Sequence, residues 1–351
     1  MSLRDLLRRK RDGDKRSVAK DQNVPKDPDA FFGDVKVDFE AINNPRFEKF
    51  PNAGPFPWLD RPDAESQITA QQKAHAINKD EAEQLRSWVA NGYVIIKRAV
   101  EPDVLDQAWA AYEAAIREGV VQLPAEPAGP DDPFPGRLQD PHMKVPTLCS
   151  IMRHPTVLRW VQLLMDREPA PFQTIICHKG SQQRVHSDSI HMTTYPLGYL
   201  TAAWVAFENI HPDSGPLVYY PGSHRLPYVF SRDVGIDEND YREHGYTPFG
   251  ERYEPRIKEI LTEQKIEPHY FHAQKGDALI WHANLLHGGS IRRDLRHSRR
   301  ALVSHYFVRG AVCYHDFAAS RPKPFLGTCL LGDEVQAGRR PDHDGKSVSG
   351  N

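Results

Sequence analysis

The chain has 351 residues, 39% of them hydrophobic, enough to bury one large core or two modest ones. A formal charge of −2 and a pI near 6.8 exclude an overall electrostatic bias toward nucleic acid or anionic membrane. No apolar run approaches the roughly 20 residues a membrane helix needs.

The first 20 residues carry eight Lys/Arg against three Asp, with Leu3, Leu6 and Leu7 at helical spacing. That pattern suits either a short basic amphipathic helix or a solvated terminus. It lacks the apolar stretch of a secretion signal. Residues 21–70 are rich in Pro, Asp and Asn, with scattered aromatics such as Phe31, Phe47 and Trp58. They read as an arm over the folded body with little regular structure, so 1–70 is an N-terminal extension, partly disordered.

From Asn78 the patterns sharpen. Asn78-Lys79-Asp80-Glu81 opens a helix, Leu85, Trp88 and Val89 form its apolar stripe, and Gly92 ends it. Tyr93–Ile96 reads as a buried strand. Glu101-Pro102-Asp103 starts a second helix carrying Leu105, Trp109, Tyr112 and Ile116, with Gly119 as its stop. A Pro/Gly-rich loop covers 124–136, and Pro155 starts a third helix through Met165.

After Pro171 short β-rich runs alternate with turns: Phe172–His178, Gln183–Ile190, Leu200–Phe207, Leu217–Tyr220, His269–His272, Ala278–His282 and Leu302–Val308. Helices first and strands after predict a mainly β fold, a double-sheet jelly roll backed by N-terminal helices, over 71–310. Residues 311–351 read as a Pro/Gly-rich tail. Four widely spaced cysteines, Cys149, Cys177, Cys313 and Cys329, without a Cys-x-x-Cys pair, suggest reduced thiols and a cytoplasmic protein.

One triplet in the β-rich part stands out. On a strand, His186 and Asp188 of His186-Ser187-Asp188 point to the same face. His287, in Leu286-His287-Gly288-Gly289-Ser290, offers a third ligand from a remote strand. Two imidazoles and one carboxylate with open positions beside them form the donor set of non-haem Fe(II) oxygenases. The chain has a second triplet, His211-Pro212-Asp213, but proline and the following Ser-Gly place it in a turn. His282 competes with His287, and five residues apart they face opposite sides of a continuous strand. The two glycines after His287 favour it, since they let backbone pack close to a crowded site.

Five arginines crowd 291–300. Arg292, Arg293 and Arg296 read as a solvated loop, while Arg299 and Arg300 border an apolar strand and only one can face in. An inward Arg299 needs an anion, and its planar fork matches a carboxylate. A 2-oxo acid that chelates iron at one end and meets the arginine at the other satisfies both groups.

These residues resemble the phytanoyl-CoA dioxygenase family over roughly 80–310. The resemblance is carried by Lys179-Gly180-Ser181-Gln182-Gln183 before the triplet, Trp204 in Ala203-Trp204-Val205-Ala206, and Asp213-Ser214-Gly215-Pro216-Leu217 before Tyr220-Pro221-Gly222-Ser223-His224. His287-Gly288-Gly289 followed by Arg299 completes it. It implies a double-stranded β-helix, Fe(II), 2-oxoglutarate and O2. His186, Asp188 and His287 would then be iron ligands, Arg299 the 2-oxoglutarate clamp, Trp204 a neighbour of the cosubstrate, and Lys179 or Gln183 a further contact. The family's serine two residues after the distal histidine is here Gly289, and a one-residue slip would put Ser290 in its role.

The implied reaction hydroxylates a C–H bond of a small-molecule metabolite with release of succinate and CO2; desaturation, ring closure and epoxidation use the same ligands. Related halogenases have a small residue where Asp188 stands, so hydroxylation is favoured over halogenation. His191, Thr193 and Tyr195, just after the triplet, are candidate substrate contacts. Two other classes compete: a cupin-like metalloenzyme that does not use 2-oxoglutarate, which leaves Arg299 without a purpose, and a non-catalytic jelly-roll binding protein. Oligomeric state is not legible.

Overall fold

A computed structural model describes residues 56–123, 137–308, 311–318 and 324–325. The chain divides into units of residues 1–38 and 39–351, and every described residue lies in the second. The basic N-terminal segment, the 124–136 loop and most of the tail therefore fall outside the described residues.

The amino-terminal layer is helical: α1 (Ala64–Lys73), α2 (Lys79–Asn91), α3 (Pro102–Arg117), α4 (Pro146–Met152) and α5 (Pro155–Met165). Helix α2 starts where the sequence says it should. Asn78 and Glu81 cap each other reciprocally, satisfying two otherwise orphaned N–H groups, and Gly92 closes the helix at φ 81. Helix α1 departs from expectation, because 64–73 lies inside the segment read as an irregular arm. Its two buried positions, Ala64 and Ile68, leave too thin an apolar stripe to see in sequence.

The strands are β1 (Tyr93–Ile96), β2 (Leu138–Gln139), β3 (Pro169–Cys177), β4 (Thr193–Tyr195), β5 (Leu200–Ala206), β6 (Leu217–Tyr219), β7 (His269–Phe271), β8 (Ala278–His282), β9 (His287–Gly289), β10 (Ala301–Val308), β11 (Val312–Tyr314) and β12 (Pro324–Phe325). They form a six-stranded sheet ordered β1-β8-β5-β10-β3-β2, and three-stranded sheets ordered β7-β6-β9 and β12-β11-β4. This is the expected jelly roll with its helical backing. Helices α6 (Glu238–His244) and α7 (Glu254–Gln264) lie between β6 and β7, in a stretch where no element was predicted.

Alternation along the large sheet assigns each side chain to one of two cores. Ala203, Val205, Ala278, Ile280 and Leu302 join Leu85, Trp88, Leu105 and Tyr112 of the helices. Their neighbours Ala202, Trp204, Leu279, Trp281 and Ala301 turn the other way and meet Leu217, Tyr219 and Phe271 of the β7-β6-β9 sheet. With both faces covered, these strands read as near-continuous apolar runs.

Cys177 and Cys313 are buried free thiols, but Cys149 is disulfide-bonded, against the expectation of four reduced thiols. Among the described residues no helix is long and apolar enough to cross a membrane.

Candidate metal centre

The inward-facing positions of the large sheet do not close on one another. They line a cavity of about 280 Å³ with Gln173, Ile175 and Cys177 from β3, Val303 and His305 from β10, Trp204 from β5 and Trp281 from β8. Across from them are Leu217, His287 and Gly288.

His186, Asp188 and His287 meet in this cavity, and one ligand atom from each lies within 4.8 Å of the others. The route differs from the sequence argument, because Gln183–Ile190 is not a strand. His186 instead forms an isolated antiparallel bridge with His287, each backbone N–H donating to the other's carbonyl at 2.9 Å. Residues paired in this way project to the same face. Asp188 opens a short 3-10 turn, Asp188–Ile190. Ser187 is extended, at φ −99 and ψ 151, so positions 186 and 188 still share a side. Ser187 points away and its hydroxyl lies 3.2 Å from the Tyr253 hydroxyl.

The hydrogen bonds prepare both imidazoles as ligands. A carbonyl can only accept, so Nδ1–H of His186 donates to Arg184 O at 2.8 Å and Nδ1–H of His287 donates to Leu285 O at 3.0 Å. That tautomer leaves Nε2 for a metal. The two Nε2 atoms lie 4.0 Å (His186) and 3.5 Å (His287) from Asp188 Oδ1. Burial holds the His186 pKa well below the ordinary 6.5, helped by the neighbouring His287 and His191. For Asp188, burial pushes upward, but His287, His305 and His186 outweigh it and keep the carboxyl below the usual range. Trp281 Nε1–H donates to Asp188 Oδ2 at 2.8 Å, so one oxygen is held by the indole and the other faces the imidazoles. Three convergent, pre-oriented donors fit a 2-His-1-carboxylate iron site.

Arg299 rather than Arg300 faces in. Arg299 is 2% exposed and donates to Gly215 O at 3.1 Å and Ser181 Oγ at 3.4 Å. Among the described residues its Nε, like Trp204 Nε1, is buried without a hydrogen-bond partner, and both residues line the cavity. No carboxylate pairs with Arg299 among the described residues. An unpaired buried guanidinium costs several kcal/mol, a cost that a bound carboxylate would remove. Arg300 points outward, over the Trp109 ring at 4.8 Å.

The other candidates divide. Gln183 lines the cavity and its amide nitrogen lies 3.1 Å from His186 Nε2. His191 lines it too, with its ring 5.4 Å from that of His186 and 5.7 Å from Phe249, and burial lowers its pKa to about 4. Lys179 and Thr193 are not among the lining residues. Tyr195 ends β4 opposite Val312. The Ser290 hydroxyl donates to Pro216 O at 2.8 Å, so it is committed to backbone. His282 faces the helical layer, 3.2 Å from Asp60, and His211-Pro212-Asp213 is a turn, as expected.

Sequence reasoning missed Trp281, His305, Ser181, and the Tyr246 and Phe249 rings at the cavity. Trp281 had a signal, since it shares strand parity with Leu279. The others depend on contacts between remote segments.

A model of the phytanoyl-CoA dioxygenase family matches residues 88–301. The chain is 23% identical over 257 residues to the peroxisomal phytanoyl-CoA dioxygenase of Mus musculus, covering 66% of this chain and 69% of that protein. It is 21% identical over 253 residues to the Homo sapiens protein of the same name, at the same coverage. Among solved structures it is similar to the non-haem α-ketoglutarate-dependent carbocyclase SnoK of nogalamycin biosynthesis (TM-score 0.53, 20% identity, 74% of this chain, 96% of that one). It is also similar to EctD from S. alaskensis, solved with 2-oxoglutarate and 5-hydroxyectoine (TM-score 0.53, 16% identity, 71% of this chain, 82% of that one). These structural likenesses concern the fold. The family match spans well over half of the chain, and with the His–Asp–His centre it makes this chain a member of the phytanoyl-CoA dioxygenase family, an iron- and 2-oxoglutarate-dependent oxygenase.

Proposed function

We propose that the enzyme hydroxylates an unactivated C–H bond of a small-molecule metabolite, converting 2-oxoglutarate and O2 to succinate and CO2 in the same cycle. The observation that carries this reading is the shared cavity: three candidate metal-ligand side chains and an arginine with no carboxylate partner among the described residues line one chamber of about 280 Å³.

His186, Asp188 and His287 hold Fe(II). When bound, the iron supplies the redox chemistry that couples cosubstrate decarboxylation to attack on the substrate. Trp281 Nε1–H holds Asp188 Oδ2, so Oδ1 is the oxygen that would face the metal. Arg299 anchors the far carboxylate of 2-oxoglutarate with two-point geometry, Trp204 flanks it, and Gln183 stands at the metal end, its amide nitrogen 3.1 Å from His186 Nε2. Ile175, Leu217 and Val303 keep that end of the chamber apolar, which strengthens the ionic contact.

The substrate enters at the side of His191, Tyr246 and Phe249, whose rings contact one another. His191 is neutral at physiological pH, so it meets the substrate through hydrogen bonding and ring contact rather than charge. Turnover of a metabolite panel under labelled dioxygen tests the reading. The expected result is one labelled oxygen in the product and one in succinate. Product formed without O2 consumption sinks it.

A further inference from the structure

Gly289 has no side chain, and the space a side chain would need is filled by another segment. A Cβ there would lie 2.5 Å from Ser181 Oγ and 2.7 Å from Gln182 N. At the neighbouring Gly288 it would lie 2.7 Å from Gln183 O. The pair of glycines after His287 thus lets residues 181–183 lie directly across β9, held by Gly289 N–H to Gln183 O at 2.8 Å. This close approach sets the Ser181 hydroxyl in the cavity beside Arg299.

A hydroxyl has two lone pairs and one proton to place. Ser181 Oγ accepts from Arg299 Nη2 at 3.4 Å and from the Gln183 N–H at 3.4 Å. Both lone pairs are engaged, and among the described residues the proton has no acceptor. Ser290, the nearer residue in sequence, has already given its proton to Pro216 O. Arg299 Nε and the Ser181 O–H are therefore two unused donors on one wall of the chamber.

We propose that Ser181 is a cosubstrate-binding residue. Its hydroxyl donates to the distal carboxylate of 2-oxoglutarate alongside the Arg299 guanidinium, and Gly289 is the gap that admits it. The inference rests on the 2-oxoglutarate reading above and adds which hydroxyl completes the clamp. The contact is specific to one end of the ligand, which allows binding at the two ends to be separated. A 2-oxo monoacid such as 2-oxobutyrate keeps the chelating end and lacks the distal carboxylate.

The test is calorimetric titration of the full chain, loaded with Mn(II) in place of iron, with 2-oxoglutarate and with 2-oxobutyrate. For Ser181→Ala, 2-oxoglutarate binding is expected to weaken about tenfold, the effect of one hydrogen bond to a charged group. Binding of 2-oxobutyrate is expected to stay at the wild-type value. Equal weakening for both ligands assigns Ser181 a merely structural role and overturns the proposal, as does unchanged 2-oxoglutarate affinity. Loss of affinity in Ser290→Ala instead of Ser181→Ala overturns it too. A wild-type protein that binds no 2-oxoglutarate fails at the earlier step and takes the functional reading down with it.

Discussion

The two faces of the large sheet come from the same strands and do different work. On β8, Ile280 faces the helices and is fully buried among carbon atoms, while the adjacent Trp281 faces the chamber and holds Asp188. Before β10, Arg300 lies outside over Trp109 and Arg299 lies inside with a donor unsatisfied. One face buries apolar side chains against the helices. The other leaves room, orphaned donors and lone pairs that only ligands complete. Position parity along a strand therefore separates residues that set stability from residues that set binding.

Substitutions at adjacent positions test that division. Ile280→Ala removes buried carbon from the helix-facing core, and a loss of about 2–5 kcal/mol in unfolding free energy is expected. Calorimetric titration of the folded fraction should show wild-type 2-oxoglutarate affinity. Arg299→Ala should do the converse, weakening 2-oxoglutarate binding on the order of 100-fold through loss of a buried charged pair, with a melting temperature no lower than wild type. Trp281→Phe keeps the inward ring and drops the Nε1–H to Asp188. Disturbing a partner of a metal ligand costs about 10–100-fold in metal affinity, readable by competition with a chelator. If Trp281→Phe lowers stability as much as Ile280→Ala while iron affinity holds, the two faces are not distinct in this way.

A pH effect comes from beside the chamber rather than from either face. Asp316 is buried and accepts from Ser231 N–H, and burial raises its pKa to about 7. The folded state therefore holds a proton that the unfolded chain releases near pH 4. The corresponding stabilisation is complete below that pH and is lost as pH rises toward 7, with a slope of at most about 1.4 kcal/mol per unit. Asp316→Asn should flatten the stability profile across this window in denaturant titrations. The smallest expected change is Arg300→Ala: about 0.5–1 kcal/mol from the lost cation–π contact with Trp109, with cosubstrate binding untouched.

How much of this was legible depended on whether the signal was local. Helices α2 and α3 carry their own stop and start residues, and Asn78, Gly92 and Pro102 all act as the sequence suggests. The ligand triplet was found for a reason that only half holds: Gln183–Ile190 is no strand, yet an extended Ser187 gives the same alternation over the three residues that matter. Helix α7 is hard to read locally because its apolar stripe is thin: only Ile257 and Ile260 are buried, with Leu261 packed beside them. Helix α4, at 7 residues, is too short for periodicity to show. Ser181 was hardest to foresee. Its position depends on what residue 289 lacks, a contact across 108 positions that no local pattern encodes.

Anaerobic addition of Fe(II) and then 2-oxoglutarate tests the central claim most directly. A visible charge-transfer band at one iron per chain is predicted for the wild type, absent in His186→Ala and weakened in Arg299→Ala. A wild-type protein that binds no stoichiometric iron, or binds it and forms no band with 2-oxoglutarate, contradicts the account.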